Sequence, residues 1–128
     1  MSVPQYEGTS PLVSDRFVLT FQAGEDLSDA IGYVVELTGD MIVKKTASST
    51  ASAKVMGITM TKAVNGAKVT VVARGVCRAK AYGNISAGDQ VASYTTGRIQ
   101  TYTTKDTCAI GNALQAITSG GTGLVALW

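Results

Sequence analysis

Apolar and polar residues alternate with a period of two along several short stretches of the chain, which predicts β-strands. In the first stretch, residues 16–21, Phe17, Leu19 and Phe21 share one face, and we expect that face to lie in the core. Further stretches cover residues 32–37 and 68–82. Turns that contain glycine separate them, so the sequence predicts an all-β domain. The expected architecture is a small β-barrel or sandwich of short strands with little helix.

The longest stretch, residues 68–82, divides by parity into two faces. Its odd positions are apolar and mostly small, which would let another sheet or subunit approach closely. Its even positions include Arg74, Arg78 and Lys80. This pattern predicts a basic face that contacts phosphate or an acidic protein surface, and a solvated face is the alternative.

An internal two-fold repeat occupies most of the remaining chain. Residues 39–43 recur as 88–91, residues 55–63 as 109–117, and residues 66–71 as 120–127, in the same order. Each unit has a Gly-Asp turn, a strand that opens with an apolar residue and glycine, and a glycine turn before its last strand. The sequence therefore predicts a single β domain, residues 17–128, with repeat units of about residues 39–72 and 88–128.

The two ends of the chain differ from this domain. Residues 1–16 contain both prolines, which favour an extended N-terminal arm over a helix. The candidate anchors of this arm on another surface are Val3, Tyr6, Leu12 and Val13. Residues 124–128 are apolar at every position, which predicts a central strand or a seam between subunits. Trp128 is either an anchor at that seam or an ordinary core residue.

Charge is unevenly distributed along the chain. Residues 1–40 contain seven acidic residues and one basic residue, whereas residues 41–128 contain ten basic and two acidic residues. This asymmetry predicts complementary packing within one chain or between neighbouring copies, with chance clustering on solvated loops as the alternative. The pI of about 8.6 and the dispersed aromatic residues argue against direct nucleic-acid binding.

Missing residue types exclude most catalytic chemistry. The chain has no histidine and two cysteines, so it lacks the groups for a histidine-based triad, a histidine-ligated zinc or an iron–sulfur cluster. We therefore expect no enzymatic activity, no metal and no cofactor. Cys77 and Cys108 are either a disulfide or free thiols. No signal peptide and no apolar run of about 20 residues is evident, so we expect a soluble protein without a membrane partner.

Taken in order, these segments resemble the small phage capsid cement, or head decoration, proteins. The resemblance rests on residues 17–27, residues 34–40, the turn at residues 85–91 and the final Gly-Leu-Val-Ala-Leu strand. It includes both strand starts, Met56-Gly57-Ile58 and Ile110-Gly111-Asn112, and covers residues 17–128.

The resemblance implies a structural protein without catalysis that trimerises on the outer surface of an icosahedral phage head. Its partners would be the major capsid protein and two further copies of itself, at three-fold and quasi-three-fold positions. It would be made in the host cytoplasm and stabilise the head as a part of the virion. The residues expected to contact capsid or subunit are Val3, Tyr6, Leu12, Val13, Arg74, Arg78, Lys80 and Trp128.

Two other functions fit an all-β chain of this size. One is a β-barrel module of a phage tail or cell surface that binds a ligand or carbohydrate. The other is a shell subunit that forms closed particles by itself.

Overall fold

A computed structural model of the chain describes residues 16–47, 54–103 and 109–128. These residues form nine strands and a single 3₁₀ turn at Thr95–Gly97. The strands are β1 (Phe17–Ala23), β2 (Val34–Gly39), β3 (Ile42–Lys45), β4 (Val55–Thr59), β5 (Lys68–Lys80), β6 (Gln90–Ser93), β7 (Ile99–Thr101), β8 (Gly111–Ala113) and β9 (Thr122–Leu127). The predicted all-β class is confirmed. The arm residues 1–15 and Cys108 lie outside the described residues.

The first five strands form a closed barrel in the order β1-β3-β2-β4-β5, because β1 also pairs with β5. The pairing of β1 with β3 is parallel and the other pairings are antiparallel, so the barrel is mixed. Closure removes most exposed strand edges from the sheet. The predicted barrel architecture is confirmed.

Strand β5 is long enough to serve two sheets. Its first half pairs with β1 and β4, while Gly75–Lys80 pair with β9. The sheet then continues through β8 and β6 to β7. A parallel bridge between Ala81 and Ile99 returns β7 to the end of β5. Strand β9 therefore lies between β5 and β8, which is the central position that its apolar sequence predicts.

Backbone N–H groups donate to loop side chains in both halves of the structure. The backbone N–H of Thr70 donates to the Thr61 hydroxyl over 2.9 Å. The N–H of Leu124 donates to the Gln115 amide oxygen over the same distance, 2.9 Å. Isolated β-bridges join Leu27 to Ala63 and Ile85 to Ile117.

Two clusters of buried side chains fill the structure. One lies in the first barrel and includes Phe21, Leu27, Tyr33, Val35, Val43, Val69 and Val71. The other is built mainly from the second half of the chain, including Cys77, Ile85, Ile99, Ile117, Val125 and Leu127. Val34, Ile58 and Val72 of the first barrel also belong to this second cluster. The two halves therefore share a core.

A β-bulge separates the two halves of β5. Phe17 lies opposite Arg74, whereas Val18 lies opposite Val72, so Ala73 is an extra residue in β5. Gly75 follows with a φ of +111°. The predicted apolar odd positions are buried on both sides of the bulge, with Val71 in the first cluster and Cys77 in the second. Val72 occupies an even position and is also buried, because it packs in the second cluster.

Candidate docking surface

The bulge in β5 presents two arginines where the first barrel meets the second sheet. Arg74 is exposed beside the start of β1, and Arg78 is exposed opposite Leu124 of β9. Both residues belong to β5, whose backbone pairs with β1 up to Arg74 and with β9 around Arg78. Their Cα positions are therefore fixed by strand pairing. We call Arg16, Arg74 and Arg78 the basic surface.

A cleft of about 250 Å³ opens beside Arg78. Its lining residues are Arg16, Ile31, Thr59, Met60, Cys77, Arg78 and Leu124. Arg16 is the first residue that the structure describes. Two guanidinium groups beside apolar side chains suit a partner segment that carries both carboxylates and aliphatic groups.

The basic surface has no internal counter-charge in the part of the chain that the structure describes. Within residues 16–47, 54–103 and 109–128, the side chains of Arg16, Arg74 and Arg78 form no hydrogen bond or ion pair. An exposed guanidinium has five N–H donors and binds carboxylates in a fixed, bidentate geometry. In the described part of the chain, the three side chains are exposed to solvent.

Lys80 differs from the two arginines, although the sequence places all three on one face. It is half-buried, and its Nζ lies 5.9 Å from the centre of the Tyr33 ring. Lys45 lies closer, with Nζ 4.2 Å from the same ring centre. The Tyr33 hydroxyl donates to Asp29 over 2.7 Å, and this bond holds the pKa of Asp29 below its usual value. Lys80 thus helps to cover a buried tyrosine.

Two buried groups near this surface have altered proton affinities. Burial, and then the hydrogen bond to Asp29, raise the pKa of Tyr33 to about 12. Burial raises the pKa of the Cys77 thiol to about 12, against a weaker opposing effect of Arg16. The structure has Cys77 as a buried free thiol, and Cys108 lies outside the described residues.

We expect the protein to lose stability at alkaline pH. Tyr33 and Cys77 ordinarily titrate near 10.0 and 9.0, so both hold their protons more tightly in the folded protein. Their stabilising effect is complete below about pH 9 and is lost as the pH rises towards 12. When the pH is raised from 8.5 to 11, the free energy of unfolding should therefore fall by on the order of 2 kcal/mol, and the urea midpoint should fall with it. Tyr33→Phe should show a smaller fall, and an equal fall would contradict a role for Tyr33.

Trp128 lies at the rim of a second opening, and 55% of its surface is exposed. Its indole Nε1 donates to the Asn112 side chain over 2.9 Å. The opening has a volume of about 170 Å³ and is lined by Val55, Met56, Gly57, Ala73, Ala109, Ile110, Leu127 and Trp128. Trp128 is therefore not a core residue, so that alternative is wrong. Its role as an anchor stays a prediction.

Phe17 and Arg16 lie beside Arg74 and Arg78, although the sequence pattern does not predict either of them at this surface. Phe17 was expected in the core with Phe21, but 58% of its surface is exposed, whereas Phe21 is buried. Phe17 is the first residue of β1 and lies opposite the exposed Arg74, beyond the regular pairing with β5. The sequence pattern does not single out Arg16, and the available signal is its position directly before an apolar strand start. Val3, Tyr6, Leu12 and Val13 lie outside the described residues.

The described residues contain no arrangement that suggests another kind of site. Within them, no group of three or more His, Cys, Asp or Glu side chains could hold a metal ion. None of the helical segments in the same ranges has the length and hydropathy that a membrane crossing requires.

The chain belongs to the phage cement protein family, whose profile matches residues 14–127. This family is structural and not enzymatic, so the predictions of the family and of a non-enzyme are confirmed. The chain is thus a capsid-associated component of the virion. No curated protein matches it in sequence.

A solved structure has a similar fold, the head fiber gp8.5 N base in bacteriophage phi29. The two superpose with a TM-score of 0.63 at 17% sequence identity, over 89% of this chain and 95% of that chain. At this identity the likeness concerns the fold alone.

Proposed function

We propose that this chain is a capsid decoration protein that binds the outside of an icosahedral phage head and stabilises it. It acts as a homotrimer at three-fold and quasi-three-fold positions, with the major capsid protein as its partner. The observation that carries this proposal is the pair of exposed arginines, Arg74 and Arg78, which have no partner among the described residues. Unpaired guanidinium groups favour an acidic protein surface.

Trimerisation would convert modest contacts into firm attachment. Each copy presents a small basic surface, which alone predicts weak and salt-sensitive binding. When three copies are joined, the second and third contacts become intramolecular and overall affinity rises by factors of about 10² to 10⁴. One trimer would then hold neighbouring capsid subunits together.

The arm would extend this contact from the same place. Residues 1–15 join the body at Arg16, which lines the cleft next to Arg78. We infer that Val3, Tyr6, Leu12 and Val13 bind apolar parts of the capsid or of a neighbouring copy. Ordering such a segment costs entropy, which a large wrapped surface can offset. Trp128, exposed at the end of β9, is a further anchor in this proposal.

We also infer that the two halves of the chain are copies of one unit. The support is the correspondence of hydrogen bonds at a spacing of 54 residues, as between Thr61 with Thr70 and Gln115 with Leu124. Gly57 and Gly111, at the same spacing, each pack against a backbone carbonyl. The match of residues 39–43 with 88–91 lacks this support, because Gly39 ends β2 whereas Gly88 precedes β6.

A head-binding assay tests the proposed function. Arg78→Glu should weaken binding to purified heads that lack this protein by at least about tenfold, because it places a carboxylate against an acidic surface. Lys62→Glu makes the same charge change at an exposed position in the loop between β4 and β5, and should bind as the wild type does. Light scattering should give a mass near three times 13.2 kDa.

Either of two results would contradict the proposal. One is that the wild-type protein does not bind the heads or raise their temperature of disruption. The other is that Arg78→Glu and Lys62→Glu bind equally, which would remove the basic surface from the contact. Closed particles formed by the protein alone would instead identify a shell subunit.

One observation favours a carbohydrate-binding module as a second candidate. The rings of Tyr82 and Tyr94 stack with their centres 4.1 Å apart, and Tyr82 is exposed. Exposed aromatic rings are the side chains on which sugars stack. Retention on polysaccharide resin that is lost in Tyr82→Ala would support this candidate, and no retention would exclude it.

A further inference from the structure

Strand β1 has an edge that the barrel leaves partly open. Its pairing with β3 involves Gln22 and Ala23 alone. Residues 17–21 therefore pair with β5 on one side, and no strand among the described residues pairs with them on the other. The backbone N–H of Gln22 donates away from β5, to Met41 over 2.8 Å. By the alternation of an antiparallel ladder, the N–H and C=O groups of Val18 and Thr20 point to the same open side.

This edge lacks the features that usually protect an exposed strand. Residues 17–22 contain no charged residue and no proline. Val18 and Met41 beside the edge are 44% and 57% exposed. Natural proteins place lysine, proline or a bulge at open edges because an uncharged edge pairs with other chains. Here the bulge lies on β5, so it leaves the open side of β1 unprotected.

We propose that the open edge of β1 binds an extended segment of the capsid surface as an added strand. The segment is uncharged where it lies along residues 18–20 and has an acidic residue at the end next to Phe17. This occupant follows from charge complementarity, because the exposed Arg16 directly precedes that end of β1. Backbone hydrogen bonds provide the affinity and Arg16 fixes the direction of the segment. The inference rests on the proposed binding to capsid and names its contact.

A proline at position 20 tests the edge without breaking the barrel. The Thr20 N–H points to the open side, so proline removes a donor that β5 does not use. Thr20→Pro should weaken binding to heads that lack this protein by at least tenfold. Thr20→Val keeps the N–H and the β propensity, and it should bind as the wild type does. Circular dichroism and the unfolding midpoint check the fold. If Thr20→Pro does not fold, Thr20→Lys, which charges the edge and keeps the N–H, should weaken binding instead.

Hydrogen exchange provides a second readout on the unchanged protein. The amides of Val18 and Thr20 should exchange rapidly in the free protein and at least 100-fold more slowly when it is bound to heads. Rapid exchange in both states would overturn the inference. Slow exchange in the free protein would also overturn it. If dilution of the free protein abolished this slow exchange, a second copy would occupy the edge. If dilution left the slow exchange unchanged, residues 1–15 of the same chain would occupy it. Binding of wild type and Thr20→Pro with equal affinity would refute the edge alone, whereas no binding by the wild type would refute the proposed function.

Discussion

Gly111→Ala lowers the free energy of unfolding by about 3 kcal/mol or more, well above the effect of an ordinary surface substitution. A Cβ at this position would lie 2.0 Å from the backbone carbonyl oxygen of Ala126. Gly111 pairs with Leu127 of β9, so the clash can be relieved only by moving one strand of the sheet away from the other. Backbone cannot rotate aside as a flexible side chain can, which is why the expected cost is large.

Gly57→Ala should have an effect of similar size in the first barrel. Its Cβ would lie 2.1 Å from the carbonyl oxygen of Val72, and its φ of +149° is unfavourable for other residues. Gly39→Ala is the matched control, since its Cβ would approach only the side chain of Ile42, at 3.4 Å. Urea unfolding followed by circular dichroism measures all three variants. A loss in Gly111→Ala no greater than that in Gly39→Ala would show that the sheet accommodates the methyl group.

These two glycines show how far the sequence predicts the fold. An apolar residue followed by glycine opens both β4 and β8, and the period-two pattern predicts the strands around them. The sequence also predicts a strand in an internal position for the apolar residues near the C-terminus, where β9 lies. What it does not contain is the reason for the glycines, because the carbonyl oxygens of Val72 and Ala126 approach them only through tertiary pairing.

The candidate surface is less predictable from the sequence, because it also depends on tertiary strand pairing. Arg74 and Arg78 were identified from parity, and both are exposed as expected. The extra residue Ala73 cannot be recognised from side-chain pattern, since alanine fits either face of a strand. Burial follows parity on both sides of this bulge, and Val72 is the exception because the second cluster covers it. Parity therefore predicts which positions of β5 are buried, whereas the contact between the two halves, which buries Val72, is absent from the pattern.

Leu27→Ala should destabilise the whole protein by about 3 kcal/mol in a single transition. Leu27 is fully buried in the cluster of the first barrel. The two clusters are coupled, because β5 contributes to both and Ile58 of the first barrel packs in the second. Loss of the first barrel would thus remove part of the core of the second, and neither half should remain folded without the other.

Trp128, the only tryptophan, allows this coupling to be measured. It lies at the end of β9 in the second half, so its fluorescence reports on a region remote in sequence from Leu27. In Leu27→Ala, the unfolding curves from fluorescence and from circular dichroism should coincide and shift together to lower urea. Ile117→Ala, which alters the second cluster, should shift both curves in the same way. A Leu27→Ala curve in which circular dichroism falls first, while the Trp128 transition stays at its wild-type midpoint, would mean that the halves unfold independently. The shared residues of β5 and β4 would then pack without transmitting stability between the two sheets.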